Sequence, residues 1–171
     1  CHRFDPDVPV RETALAMHDL IQQGYILYWG VSMWPAERIA EVVALCQAEG
    51  WHLPITNQPL YNLYRREIEV AVVPTSQRLG MGQLVYSPLA QGVLTGKYKP
   101  GEAPPRNTRA TEESGKKFVA NFMSDDYLER AQKLVALAEQ HGTDATRMAL
   151  AFVLKNQGVS SVLVGARHAQ Q

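Results

Sequence analysis

The stretch Tyr86-Ser-Pro-Leu-Ala-Gln-Gly-Val-Leu-Thr-Gly-Lys-Tyr98 is the clearest indication of the fold. It follows an apolar run at residues 82–85, passes through an aromatic ring and a hydroxyl, and ends in a segment that carries Gly and Lys. This order predicts a buried strand that leads into a ligand-facing loop, and the backbone donors and the cation of that loop suit a phosphate group. Similar transitions from strand to loop occur elsewhere in the chain.

Four apolar, β-rich runs predict four strands, at residues 25–31, 53–58, 83–87 and 161–165. Each run is uninterrupted, which is typical of strands that are buried on both faces of a parallel sheet. Helical patterns lie between the runs, and the ranges predicted as helices are 9–23, 35–49, 124–141 and 144–156. A weaker helical pattern at 65–79 is interrupted by Pro74, and a long loop is predicted after the third strand.

Strands that alternate with helices indicate right-handed βαβ units. The first three runs begin roughly 29 residues apart, close to one unit of an eightfold barrel, which needs eight strands and about 250 residues. The pattern leaves two interpretations: a doubly wound sheet complete in 171 residues, or part of a barrel. A start at Cys1 with no preceding strand favours the partial barrel.

Composition narrows the class of protein. The 17 basic and 17 acidic residues cancel, which argues against a nucleic acid or an anionic membrane as partner. No apolar run reaches the roughly 18 residues of a spanning helix, and no signal peptide opens the chain. The two cysteines form neither a disulfide framework nor a metal pair, and no metal site is predicted. These features predict a cytoplasmic protein with reduced thiols.

Polar and aromatic side chains stand where the predicted strands end, which is where a parallel α/β fold places its site. A hydroxyl (Ser32), a carboxamide (Gln58) and a ring (Tyr86) on successive strands suit a flat heteroaromatic carboxamide such as nicotinamide. Three cations could neutralise phosphates beyond it: Lys97, Arg109 and Arg167. The chain contains no catalytic triad, no GxGxxG motif and no Walker loop.

An ordered series of motifs resembles the C-terminal part of the aldo-keto reductases, in the branch with bacterial reductases and voltage-gated potassium channel β-subunits. The series is His2-Arg-Phe-Asp-Pro, Tyr28-Trp-Gly-Val-Ser-Met-Trp34, Asn57-Gln-Pro-Leu-Tyr-Asn62, the stretch at 86–98, and Gly158-Val-Ser-Ser-Val-Leu-Val-Gly-Ala-Arg167. The resemblance implies a (β/α)8 TIM barrel of aldo-keto reductase type. Residues 1–171 would form a single domain that covers about strands 5–8.

The same resemblance implies an NADPH-dependent enzyme that reduces a small aldehyde or ketone to an alcohol. In the family a Tyr donates the proton with support from Lys and Asp, and a His orients the carbonyl. His2 matches that His and is the one catalytic residue expected here. No tyrosine of the chain matches the proton donor, so the chain alone is expected to be inactive.

The family's cofactor-binding residues carry over position by position. Ser32 and Gln58 would hold the nicotinamide carboxamide, and Tyr86 would stack on the ring. The pyrophosphate path would be lined by Ser87, Leu89, Gln91, Gly92 and Lys97. Thr108 and Arg109 would meet the 2′-phosphate, whereas Gly165, Arg167 and Gln171 would border the adenosine. Met33 departs from the Asn or Arg that commonly follows the family's Ser.

Two alternative functions remain open at this point. One is a nucleotide-binding regulatory subunit that resembles the potassium-channel β-subunits, in which Asn tends to replace the reductase His, so His2 favours a reductase. The other is a non-catalytic half-barrel that pairs with another chain to close its sheet. A homo-oligomer is compatible with either interpretation.

Overall fold

The computed structural model describes residues 1–166, which contain a four-stranded sheet in the order β1-β2-β3-β4. The strands are β1 Gly30–Val31, β2 Thr56–Asn57, β3 Gly82–Tyr86 and β4 Val159–Leu163. β1 pairs in parallel with β2, and β2 pairs in parallel with β3, so that Gly30, Thr56 and Gly82 lie side by side. Parallel pairing brings the carboxyl ends of these three strands to the same edge of the sheet.

Helices occupy most of the connections. The α-helices are α1 Val10–Gln22, α2 Ala36–Glu49, α3 Val72–Arg78, α4 Glu113–Val119, α5 Asp125–Gln140 and α6 Ala145–Leu154. Short 3-10 helices span Glu67–Glu69, Ala90–Thr95 and Ala120–Phe122. The alternation of strand and helix from α1 to β3 confirms the α/β class that the sequence predicts.

Local capping explains where several helices begin and end. Gly24 takes φ +76° just beyond α1, and the N–H of Tyr25 donates to the Leu20 carbonyl over 2.9 Å, as in a Schellman motif. Gly50 ends α2 with φ +67°. The carboxylate of Asp144 accepts the N–H of Arg147 over 2.9 Å and caps α6.

The chain divides into two compact units. The first unit comprises Cys1–Leu60, Glu67–Tyr86 and Gln157–Ser161, and the second comprises Tyr61–Arg66, Ser87–Asn156 and the segment that begins at Val162. Each unit has its own apolar core. The first core is built from Val10, Ala14, Trp29, Val31, Trp34, Ile39, Val42, Val43, Cys46 and Met81. The second is built from Ala90, Val93, Leu94, Tyr98, Val119, Phe122, Leu128, Ala131 and Ala149.

The strands differ from the sequence prediction in length and burial. The predicted strand at 25–31 is reduced to Gly30–Val31, because the Schellman bonds continue the end of α1 and leave Tyr25, Leu27 and Tyr28 more than 70% exposed. The predicted strand at 53–58 is reduced to Thr56–Asn57. The strand predicted at 161–165 begins two residues earlier, at Val159, and none of its residues is buried, so burial on both faces was wrong for it.

Two predictions about the connections between strands also need correction. Pro74 does not interrupt α3, because it is the third residue of that helix, where the N–H of a residue has no acceptor inside the helix. The long loop predicted after β3 contains the 3-10 helix Ala90–Thr95 and the helix α4. Both are short, and neither carries a long apolar period that sequence reading could detect.

None of the helices in residues 1–166 combines the length and apolar character that are needed to cross a membrane. That the chain forms a single domain stays a prediction.

Candidate functional site

Ser32 lies directly after β1 and is 9% exposed. Its hydroxyl donates to the backbone carbonyl of Gln58 over 2.8 Å, and its N–H donates to the carbonyl of His2 over 3.1 Å. The hydroxyl proton is therefore engaged, but the oxygen keeps a lone pair that can accept an N–H of a carboxamide. Ser32 is thus an acceptor at the carboxyl end of β1.

Tyr86 is the last residue of β3 and is half-buried. It forms a parallel bridge with Leu60, and its N–H donates to the Pro59 carbonyl over 3.0 Å. Gln58, also half-buried, directly follows β2. The hydroxyl, carboxamide and ring expected from the sequence therefore lie at the ends of three neighbouring strands of the first unit.

His2 lies at an exposed position and lines a cavity of about 260 Å³ with Phe4 and Trp34. The ring of Phe4 packs edge-on against the indole of Trp34, with centroids 5.3 Å apart. Trp34 is 4% exposed, and its Nε1 has no acceptor among residues 1–166. His2 and Trp34 thus line the same cavity.

In the second unit a chain of polar side chains runs from the segment after β3 to a cation. The amide Nε2 of Gln91 donates to the hydroxyl of Ser87, and the guanidinium of Arg109 donates to Oε1 of Gln91. A Cβ added to Gly165 would lie 3.5 Å from Nη2 of Arg109. The structure therefore brings four of the predicted residues together: Ser87, Gln91, Arg109 and Gly165.

Several residues in the segment that follows β3 have positive φ values. Ser87, Ala90 and Gln91 have φ values of +54°, +47° and +59°, and Gly92 has φ +94°. Residues other than glycine rarely adopt this region, and each costs about 1–3 kcal/mol, which the surrounding structure must offset. Hydrogen bonds within the segment close these turns: the N–H of Ala90 donates to the Ser87 carbonyl over 3.0 Å, and the N–H of Gly92 donates to the Leu89 carbonyl over 2.9 Å.

Gly92 and the cation of Lys97 approach each other closely. A Cβ added to Gly92 would lie 3.0 Å from Nζ of the exposed Lys97. Leu89 is half-buried and packs against the core of the second unit. The glycine therefore leaves room beside an ammonium group, as the approach of a phosphate requires.

Three predicted residues contribute differently or lie outside the described part. Thr108 is 9% exposed, and its hydroxyl donates to the Pro105 carbonyl over 2.8 Å, so its proton is already engaged. Arg167 and Gln171 lie outside the described residues.

Asn62 is a fully buried residue that sequence analysis did not assign to the site. Its Nδ2 donates to the Ser87 carbonyl over 2.9 Å, and its Oδ1 accepts the N–H groups of Tyr64 and Arg65 over 2.9 and 3.0 Å. Asn62 thus holds Ser87 in its left-handed conformation. An Asn two residues before a tyrosine is a weak turn signal in sequence, which is why the role was missed.

Replacing Asn62 with alanine is expected to lower the free energy of unfolding by about 2–3 kcal/mol, because buried polar groups lose their partners. Urea denaturation followed by tryptophan fluorescence measures this. The control is Asn121→Ala, at an exposed position, which should change stability by less than about 0.5 kcal/mol. Equal effects of the two substitutions would contradict the assigned role.

Gly115, the third residue of α4, supports the backbone of Arg109. A Cβ at this position would lie 2.6 Å from the carbonyl oxygen of Arg109 and 2.9 Å from its Cα. Real Cβ atoms do not approach backbone so closely, so only glycine lets Arg109 keep its position.

Replacing Gly115 with alanine is therefore expected to destabilise the chain by about 1–3 kcal/mol and to displace Arg109. This reverses the usual gain of about 1 kcal/mol for Gly→Ala inside a helix. Thermal unfolding measures the sign of the change, with the exposed neighbour variant Ser114→Ala as control. Stabilisation by Gly115→Ala would show that the close approach does not exist.

Both cysteines are free, with Cys1 exposed and Cys46 buried. Cys46 is fully buried, and burial raises the pKa of its thiol, which keeps it in the unreactive protonated form. Within residues 1–166, no three His, Cys, Asp or Glu side chains are grouped so that they could hold a metal ion.

With this geometry established, comparison with known proteins gives the family. The aldo/keto reductase family model matches residues 1–171, and the chain belongs to that family. It is 37% identical over its full length to a probable voltage-gated potassium channel subunit beta of Arabidopsis thaliana, covering 52% of that protein. It is 36% identical over 99% of its length to the L-glyceraldehyde 3-phosphate reductase of Escherichia coli K12, covering 49% of that protein.

A solved structure supports the fold. The glycerol dehydrogenase of Gluconobacter oxydans aligns with a TM-score of 0.75 and 28% identity, over 99% of this chain and 49% of that protein. The chain spans about half the length of the relatives it matches. The resemblance found in the sequence is confirmed, and four strands of a parallel sheet fit part of a barrel.

Proposed function

We propose that this chain provides the NADPH-binding residues of a reductase that converts an aldehyde or ketone to an alcohol. Family membership supports an oxidoreductase, and two relatives are named as a reductase and a dehydrogenase of small polyols or their aldehydes. The observation that carries the proposal is the chain of hydrogen bonds from Ser87 through Gln91 to Arg109, which holds a guanidinium group in place for a phosphate.

The residues present fit a phosphorylated nicotinamide cofactor. In the second unit, Arg109 has no carboxylate partner within residues 1–166, so its charge is free to meet a phosphate. Gly92 leaves open the space next to the Lys97 ammonium that a Cβ would fill. In the first unit, the Ser32 oxygen can accept a hydrogen bond from the carboxamide group of nicotinamide. The half-buried Tyr86 ring can stack on the pyridine ring.

Each residue of the proposed site then has a defined role. Ser32 and Gln58 bind the carboxamide, and Tyr86 covers one face of its ring. Arg109, with Thr108 beside it, selects the 2′-phosphate, which makes NADPH the preferred cofactor. The bound cofactor supplies the reducing equivalent. His2 orients the carbonyl oxygen of the substrate by a hydrogen bond from its imidazole.

Proton donation to the carbonyl oxygen is the step for which the chain offers no matched residue. None of its seven tyrosines corresponds to the family's donor. We therefore propose that the 171 residues bind cofactor without reducing a carbonyl compound by themselves. We further propose that they form one domain, act in the cytoplasm and are compatible with a homo-oligomer.

A regulatory subunit is the second candidate, favoured by the Arabidopsis relative named as a probable channel subunit. Such a subunit would bind nucleotide as well, so binding alone does not separate the two functions. His2 favours the reductase, because the resemblance implies Asn rather than His at this position in the channel subunits.

Incubation of the chain with NADPH and DL-glyceraldehyde tests the proposed function. Fluorescence of NADPH reports its binding, and NADPH absorbance reports its oxidation. We expect binding without oxidation. Steady oxidation would overturn the proposal that the chain alone is inactive, whereas absence of binding would overturn the cofactor assignment itself.

A further inference from the structure

Met33 adopts an unusual backbone conformation at the carboxyl end of β1. Its φ is +57°, in the left-handed region that a long unbranched side chain rarely occupies. Asn, which the resemblance leads one to expect here, tolerates that region better. Such a conformation beside a candidate site persists only where the surrounding contacts enforce it.

Polar contacts from the two neighbouring strand ends converge on Met33. Its N–H donates to the Gln58 carbonyl over 3.3 Å. Its sulfur accepts the N–H of Leu60 over 3.2 Å and lies 3.6 Å from the hydroxyl of Tyr86, which donates to it. Both sulfur distances are within the range of hydrogen bonds to a thioether, which is a weak acceptor.

These contacts join the ends of β1, β2 and β3 through one side chain. Leu60 and Tyr86 already form a parallel bridge, so the sulfur accepts from both sides of that bridge. The hydroxyl bond fixes the far end of the Tyr86 side chain, whereas the bridge fixes its backbone. A phenolic O–H lies in the plane of its ring, so an O–H directed at the sulfur favours one plane of the ring.

We propose that Met33 is a positioning residue, whose thioether sets the orientation of the Tyr86 ring and thereby the face offered to nicotinamide. The half-buried thioether stands where the resemblance implies Asn or Arg, and its sulfur accepts from the Tyr86 hydroxyl. The effect of Met33 on nicotinamide binding rests on the proposed function. The contact between Met33 and Tyr86 is independent of that function.

The first experiment uses the chain without ligand, labelled with ¹³C in its tyrosine rings. Tyr86→Phe identifies the signal of Tyr86 among the seven tyrosines. Met33→Leu keeps the volume but removes the acceptor, and should shift the Tyr86 signal alone. Met33→Gln restores an acceptor on an unbranched side chain and should return the signal towards its original position. Met17→Leu, at a half-buried position in α1, should leave it unchanged.

The second experiment compares NADPH with 2′,5′-ADP, which lacks nicotinamide, by calorimetry on the same variants. Met33→Leu should weaken the binding of NADPH about threefold to tenfold, as expected for the loss of a neutral hydrogen bond. The affinity for 2′,5′-ADP should be unchanged. Met33→Gln should recover most of the loss. A structural defect would instead weaken the binding of both ligands.

The outcomes separate this inference from the proposed function. An unmoved Tyr86 signal in Met33→Leu, or identical behaviour of the Leu and Gln variants, overturns the positioning role. Equal weakening of NADPH and 2′,5′-ADP also overturns it. If the unaltered chain binds neither nucleotide, the proposed function fails, and the ligand-free signal still decides whether Met33 orients Tyr86.

Discussion

Replacing Arg109 with alanine is expected to weaken NADPH binding about 10- to 100-fold and to change NADH binding by less than about threefold. The guanidinium donates to Gln91 and has no carboxylate partner within residues 1–166. Its remaining donors are available to a 2′-phosphate, which NADH lacks. Removing them should therefore abolish the proposed preference for NADPH over NADH.

Calorimetric titration of the variant with both nucleotides measures this ratio. Lys116→Ala is the control, because it also removes one cation from the second unit, but Lys116 is exposed and pairs with Glu113 over 3.5 Å. If net charge alone were responsible, both variants would bind NADPH more weakly by the same factor. That result would contradict a specific phosphate contact at Arg109.

The second large effect is expected for Gly30→Ala, which should cost about 3 kcal/mol of unfolding free energy. Gly30 is in register with Thr56 across the parallel pair of β1 and β2. A Cβ at Gly30 would lie 2.2 Å from Oγ1 of Thr56 and 2.7 Å from its backbone carbonyl oxygen. The hydroxyl can rotate away, but the backbone cannot move without separating the strands.

Because Ser32 and Met33 follow β1 directly, this variant should also lose the hydroxyl bond from Ser32 to Gln58. Thermal unfolding measures the loss of stability. Gly24→Ala provides the matched control, since a Cβ there meets nothing within 4 Å and only the positive φ of +76° opposes it, at about 1–2 kcal/mol. A smaller loss for Gly30→Ala than for Gly24→Ala would show that β1 and β2 are not in this register.

Sequence patterns predicted the order of elements better than their extents. The apolar residues at 25–28 suggested a buried strand, yet Tyr25 continues the Schellman motif that ends α1, and its ring is 74% exposed. Apolar character shows that a side chain can be buried, whereas the partners that bury it are set by tertiary structure. The short helix α4 was missed because seven residues carry too few periods to be recognised.

The candidate site was predictable in its residue types but not in its connections. Motif resemblance pointed to Ser87, Gln91 and Arg109, and the structure joins them by hydrogen bonds. Positive φ at Ser87 could not be predicted from a serine, because glycine and, less strongly, asparagine and aspartate are the residues that indicate that region in sequence. The roles of Asn62 and Met33 depend on contacts across 25 to 53 residues of chain.

The proposal on which the other functional assignments rest is that this chain binds NADPH and that Arg109 distinguishes NADPH from NADH. Titration of the unaltered chain with NADPH, following the quenching of tyrosine and tryptophan fluorescence and with NADH as the parallel titrant, tests it most directly. We expect saturable quenching by NADPH at concentrations at least about tenfold below those that NADH requires. Absence of quenching, or equal affinity for the two nucleotides, would contradict it.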